Sequence, residues 1–134
     1  MIYFENQYFQ KIEFSKKEIE QFIVSAKRDL KIALDSDILE VVFKFSYDAL
    51  IKIGIILIAG EGYKIRSQAG HHIKILEKLS QILNDEDVMV FGNKMRQDRN
   101  LGLYGGGHFI SEKDSLEYIK FVKSVFEKAK EKMK

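Results

Sequence analysis

Three observations predict an all-α fold, an antiparallel up-and-down bundle of four or five helices. The 134-residue chain contains no proline, apolar residues recur at helical spacing through most of its length, and the glycines gather in 54–70 and 92–107. With 46% of residues apolar, one core is expected, and hence a single domain over 1–134.

The first helix begins after Phe14. Ser15 caps it, and Glu18 stands at the third helical position, which is the spacing of a capping box. Ile19, Phe22, Ile23, Ala26, Leu30, Ala33 and Leu34 then trace one apolar stripe. Asp37 is expected to cap a second helix that runs to the Gly-Glu-Gly at 60–62, through Ile38, Val41, Val42, Phe45, Ala49, Leu50, Ile53, Ile56 and Leu57. Its β-branched residues also suit a strand, but the absence of a turn signal from 38 to 59 decides for a buried central helix.

A third helix is expected over His71–Leu83, with Ile75, Leu76 and Leu79 inward. A fourth is expected from about Asp85 to Asn100 through Val88, Phe91 and Met95, with Gly92 weakening it by roughly 1 kcal/mol relative to alanine. The last starts at Ser111, with Asp114 completing a weaker capping box. It continues through Leu116, Ile119, Val122, Phe126, Ala129 and Met133, with lysine and glutamate on its other face. The opening IYFENQYFQKI has no clean period, so residues 1–13 read as an extended N-terminal arm or a short helix. Its aromatics, with Tyr47 and Tyr63, are available for an interface.

Composition narrows the function classes. Twenty-two Lys and Arg against twenty Asp and Glu give a net charge of +2, too balanced to demand a nucleic-acid partner. The lack of cysteine excludes disulfides and thiolate chemistry. No signal-type start and no long apolar run are present, so a cytoplasmic location without membrane association is expected. Phosphate-loop, zincin and EF-hand patterns are also missing, and no cofactor or metal is expected.

Three places carry polar chemistry. His71 and His72 are adjacent and point about 100° apart on a helix, so one metal ion would have difficulty using both. The expected arrangement places one against the preceding loop and the other toward solvent or a neighbouring polar group. The loop GEGYKIRSQAG at 60–70 carries Lys64 and Arg66 among glycines. Its amides and cations can approach a phosphate, or it can be an interhelical connection whose Tyr63 and Ile65 plug the end of the core. The third place is MRQDRNLGLYGGGH at 95–108. Arg96 and Arg99, three apart, share one helical side and can present a forked donor surface to carboxylate or phosphate. Asp98 and Asn100 flank them and can instead hold them in an internal polar network.

Residues 30–80, followed by RNLGLYGG at 99–106, resemble the HEPN superfamily of small helical domains, which includes toxin–antitoxin ribonuclease-like proteins. The resemblance covers about 15–130, and its strongest pieces are SYDALIK at 46–52, GYKIRSQAGHH at 62–72 and the Arg-Asn at 99–100. It implies a homodimer whose motif-bearing regions face a common cleft. It also implies association with RNA and with an antitoxin or a small nucleotidyltransferase-like protein. Active members are metal-independent endoribonucleases carrying an arginine, a polar residue, a short spacer and a histidine. Arg99 and Asn100 match the first two, Tyr104 stands where the nearest-spaced histidine is expected, and His108 is the first histidine beyond it.

A tyrosine titrating near 10 is a poor base at neutral pH, whereas a histidine titrates near 6.5. If the glycine turn folds back, His108 can take the ribose 2′-hydroxyl proton while Arg99 stabilises charge at the scissile phosphate. The alternative is a catalytically inactive structural or protein-interaction module, in which Asp98, Arg99, Asn100 and Tyr104 satisfy one another.

Overall fold

The computed structural model describes residues 1–104 and 110–133, with 102–104 described by backbone alone. Five helices are joined by one two-stranded ribbon. In chain order the elements are β1 (Phe9–Lys11), α1 (Lys16–Asp35), α2 (Leu39–Gly60), β2 (Tyr63–Ile65), α3 (His71–Leu83), α4 (Glu86–Tyr104) and α5 (Glu112–Met133).

Local chemistry explains most of these boundaries. Ser15 Oγ accepts from the Glu18 N–H and the Glu18 carboxylate accepts from the Ser15 N–H, both at 3.1 Å, so the capping box of α1 is complete. At α5 the Asp114 N–H donates to Ser111 Oγ at 3.0 Å. The start of α2 departs from expectation: Ile38 is the cap residue, and its N–H donates to Ser36 Oγ at 3.1 Å, so Asp37 is not the cap. Helix α4 runs on through Tyr104, past the expected end near Asn100.

Thirteen of the 22 residues of α2 are buried, which makes it hydrophobic nearly all round and places it at the centre. It packs against each of the other four helices and against β2. The amphipathic helices lay their apolar stripes on it, with two exceptions. Leu34 and Leu116, both at expected core positions, are 49% and 59% exposed, and Ile38, expected in the stripe of α2 itself, is 55% exposed at its cap. Between α1 and α2, the buried Asp29 carboxylate meets Lys52 at 2.6 Å, and Lys52 also donates to Ser25 Oγ.

The N-terminal segment is neither helical nor detached. β1 pairs antiparallel with β2, Gln10 opposite Lys64, and Phe9 is 1% exposed within the core cluster. Of the two expected alternatives the extended arm is the one found, and its three-residue strand is too short to show a period-two pattern in the sequence. Phe4 stacks on Tyr63 with ring centres 4.3 Å apart, and Tyr63 and Ile65 pack on the core. Lys78 on α3 is buried beneath this arm. Its ammonium meets Glu5 at 2.6 Å, donates to the Tyr3 carbonyl at 2.7 Å and lies near the faces of Phe4 and Phe9. Glu5 also pairs with Lys74 at 2.6 Å.

Two glycines let α3 sit close to both neighbours. A Cβ on Gly54 of α2 would lie 2.4 Å from Cγ2 of Ile75, and one on Gly92 of α4 would lie 2.7 Å from a terminal methyl of Leu76. Gly92 therefore weakens α4 as a helix and tightens it as a packing surface. The two positions differ in what can yield. Ile75 is β-branched with χ1 locked in a helix, whereas the Leu76 methyl is the far end of a flexible chain. Gly54→Ala should destabilise the protein by about 1–3 kcal/mol. Gly92→Ala should stay within about 1 kcal/mol of the parent, because gained helix propensity offsets the contact. Denaturant titration of both variants checks this ordering, and equal losses at the two positions would contradict it.

Candidate functional site

Helices α2, α3 and α4 converge on a cluster of Tyr47, His71, His72, Arg96 and Arg99. Tyr47 is 1% exposed, so it is a core residue and not a free interface aromatic. It follows Phe43 by one helical turn, and a hydroxyl in such a stripe needs a polar partner. That partner is His72, whose Nδ1 lies 2.8 Å from the Tyr47 hydroxyl. Arg99, half-buried on α4, places its guanidinium carbon 5.7 Å from the centre of the Tyr47 ring, a cation–π arrangement. Arg96, one turn earlier and also half-buried, donates through Nε to Asn93 Oδ1 at 3.1 Å.

His71 turns the other way. Its Nδ1 lies 2.7 Å from the Gln68 carbonyl in the preceding loop, and its ring meets His72 edge-on at 4.5 Å between centres. Among the described residues no group of three His, Cys, Asp or Glu is arranged to hold a metal.

The electrostatics follow from this packing. Burial holds the His72 imidazole down to about 4, and the positive fields of His71, Arg99 and Arg96 act in the same direction against Asp48. Burial pushes the Tyr47 hydroxyl up to about 12, offset in part by Arg99 and Arg96. Both groups are therefore neutral near pH 7. Asp48 forms an ion pair with Lys44 at 2.9 Å. Among the described residues, neither Arg96 nor Arg99 lies within ion-pair distance of a carboxylate.

The remaining expected residues divide. Asp98 turns toward α5, where its carboxylate accepts the Tyr118 hydroxyl at 2.5 Å, and Lys94 donates to the same hydroxyl at 2.7 Å. Burial and the neighbouring Asp98 raise the Tyr118 hydroxyl far above its ordinary range. Asn100 is half-buried on α4. Lys64 is exposed on β2, and Arg66 is engaged by the arm, donating to the Asn6 carbonyl through Nε at 3.0 Å. The cations that act on Tyr47 and His72 are Arg99 and Arg96, whereas Arg66 bonds Asn6 on the arm. His108 and the side chain of Tyr104 lie outside the described residues. Because α4 is still helical at Tyr104, Gly102 does not break it.

Sequence reasoning missed Tyr47 and Tyr118 as polar partners. The available signal was a lone hydroxyl in an otherwise apolar helical stripe, which implies a buried hydrogen bond without naming its partner. No known protein family matches the chain, and no curated protein or solved structure matches it.

These shifts predict the acid limb of stability. His72 takes a proton more readily unfolded, near 6.5, than folded, near 4, so its contribution is complete above pH 6.5 and is lost as pH falls toward 4. Hydrogen bonds from Lys74 and then Lys78 hold Glu5 down to about 2 from 4.5, so its contribution is complete above 4.5 and is lost as pH falls toward 2. Stability should therefore decline in two stages. Glu5→Gln should cost about 2–3 kcal/mol at neutral pH, because Lys78 loses its closest anionic partner and keeps only Glu77 at 3.4 Å, and should diminish the lower stage, to which Asp85, held low by Lys128, also contributes. Urea midpoints measured from pH 8 to pH 2.5 check this, and an unchanged lower stage in Glu5→Gln would contradict it.

Proposed function

We propose that the chain is a HEPN-like, RNA-associated protein of a toxin–antitoxin-type system, with Arg96 and Arg99 as its phosphate contacts. The observation that carries this reading is the pair of half-buried guanidiniums gathered on Tyr47 and His72 without a carboxylate partner among the described residues. Concentrated, partly desolvated positive charge is costly, and a phosphodiester supplies the compensating charge in a geometry that guanidinium matches with two hydrogen bonds. The neutral His72 adds no repelling acidic group and no further positive charge. A homodimer and an antitoxin or nucleotidyltransferase-like partner belong to the same reading and rest on the resemblance of residues 30–80 and 99–106. Ribonuclease activity in this reading uses His108 as the base and Arg99 as the charge-stabilising group.

A second reading, a catalytically inactive interaction module, draws support from the Asp98–Tyr118–Lys94 network. It ties α4 to α5 through groups of the same segment and gives part of the motif a structural use.

Titration with RNA at several salt concentrations separates the two. Arg99→Ala should fold as the parent does, bind RNA more weakly, and show a log–log salt slope smaller by about 0.7–0.9. Arg96→Ala should show the same change to a lesser degree. A parent protein without affinity for RNA would remove the leading reading. Cleavage assays with chelator present, comparing the parent with Arg99→Ala/His108→Ala, address catalysis, and identical background rates would leave a binding protein only.

A further inference from the structure

Tyr47 is the common neighbour of a cation and an imidazole. Its ring centre lies 5.7 Å from the Arg99 guanidinium carbon and 5.6 Å from the centre of the His72 ring, and its hydroxyl lies 2.8 Å from His72 Nδ1. At 1% exposure the hydroxyl proton needs an acceptor inside the protein, and Nδ1 is the one within reach. The neutral ring of His72 therefore keeps its lone pair at Nδ1 and its proton at Nε2.

A second proton disturbs this arrangement. An imidazolium donates from both nitrogens, so the bond to Tyr47 reverses and the buried hydroxyl loses its acceptor. The new charge is also half-buried and meets other cations. Arg99 and Arg96 on α4 and His71 on α3 oppose it; on α2 Tyr47 is neutral, and Asp48, which acts the other way, is already paired with Lys44 at 2.9 Å. In the free protein His72 accordingly stays neutral down to about pH 4.

An anion at the junction changes that balance. Arg99 and Arg96 act on His72 through space, so a negative charge seated against them acts over a similar distance with the opposite sign. Its oxygens also supply acceptors, which guanidinium and imidazolium lack.

We propose that seating a phosphodiester on Arg99 and Arg96 is coupled to uptake of a proton from solvent by His72, so that this junction holds its anion more tightly as pH falls. The proposal rests on the phosphate-contact reading given above. The coupling is reciprocal: the factor by which the anion raises the proton affinity of His72 is the factor by which the proton raises the affinity for the anion.

The experiment titrates the full chain with a short oligouridylate at fixed ionic strength between pH 8 and pH 5, a range in which neither its phosphodiesters nor its bases change charge. Parent affinity should rise about fourfold toward pH 5, the gain for a His72 midpoint that the bound charge moves up from about 4 by about 1.5 pH units. His72→Asn should match the parent at pH 8, because its side-chain carbonyl still accepts from Tyr47, and should lose the rise. Arg99→Ala should bind weakly throughout. A flat parent profile, or a rise that persists in His72→Asn, overturns the coupling and leaves the phosphate contact standing. Failure of the parent to bind at any pH overturns both. NMR of the parent's imidazole nitrogens needs no variant: at pH 5 His72 should be neutral in the free protein and mostly protonated with oligouridylate bound. A ring that stays neutral in the complex overturns the proposal.

Discussion

The close seating of α3 between α2 and α4 is the constraint on which the rest depends. Ile75 presses into the space left by Gly54, and Leu76 into that left by Gly92. These neighbouring residues belong to a helix of 13 residues, short enough that two such contacts govern its position along both partners. The polar cluster is a consequence. His72 lies one turn before Leu76 and reaches Tyr47, which lies two turns before Gly54. Arg99 lies two turns beyond Gly92 on the third helix and closes over the same ring. A larger residue at 54, where Ile75 cannot yield, would push the helices apart, and a 2.8 Å hydrogen bond tolerates little displacement.

The N-terminal arm supplies the second support from the opposite side of α3. A buried ammonium is costly unless it is paired and hydrogen-bonded, and Lys78 obtains its closest partners from Glu5 and the Tyr3 carbonyl, both on the arm, with Glu77 of α3 farther off at 3.4 Å. The arm and α3 therefore stabilise each other: without the arm Lys78 would keep only the longer contact to Glu77, and without Lys78 the charged end of the arm would have less to hold it. Because the same arm pairs with β2 and binds Arg66 and Gln68, this ion pair also orders the loop that leads into His71.

Helical periodicity located all five helices and capping chemistry placed the starts of α1 and α5, since both act within a few residues, whereas the expected Asp37 cap of α2 was displaced to Ile38. The long apolar-periodic run from 38 to 59 without a turn signal correctly marked α2 as central. What escaped is non-local. Nothing near Phe9 announces that its three-residue strand meets Tyr63–Ile65, and nothing near Asp98 announces Tyr118. Gly92 was read as a defect because propensity is a property of one helix, whereas its use appears only when Leu76 of another helix is beside it. For the candidate site, Arg96, Arg99 and the divergent directions of His71 and His72 were readable from spacing. Tyr47, their common neighbour, was not, because its burial depends on three helices meeting.

One geometric rule organises the polar and apolar contacts alike. Consecutive residues on a helix diverge by about 100°, so each adjacent pair can serve two different neighbours. His71 faces the loop and His72 faces α2. Ile75 packs on α2 and Leu76 on α4. Asp98 reaches α5 while Arg99 reaches Tyr47. The last pair matters most for the chemistry, because it places an acidic and a basic residue of one motif on different sides of α4. Asp98 joins a network with Tyr118 and Lys94, and the guanidinium next to it in sequence is left to meet the aromatic face of Tyr47. An aromatic face lowers the cost of holding a cation without cancelling its charge. A site assembled this way concentrates positive charge at the junction of α2, α3 and α4 even though the chain as a whole carries only +2, so a near-neutral composition and a local cluster of cations coexist in one small bundle.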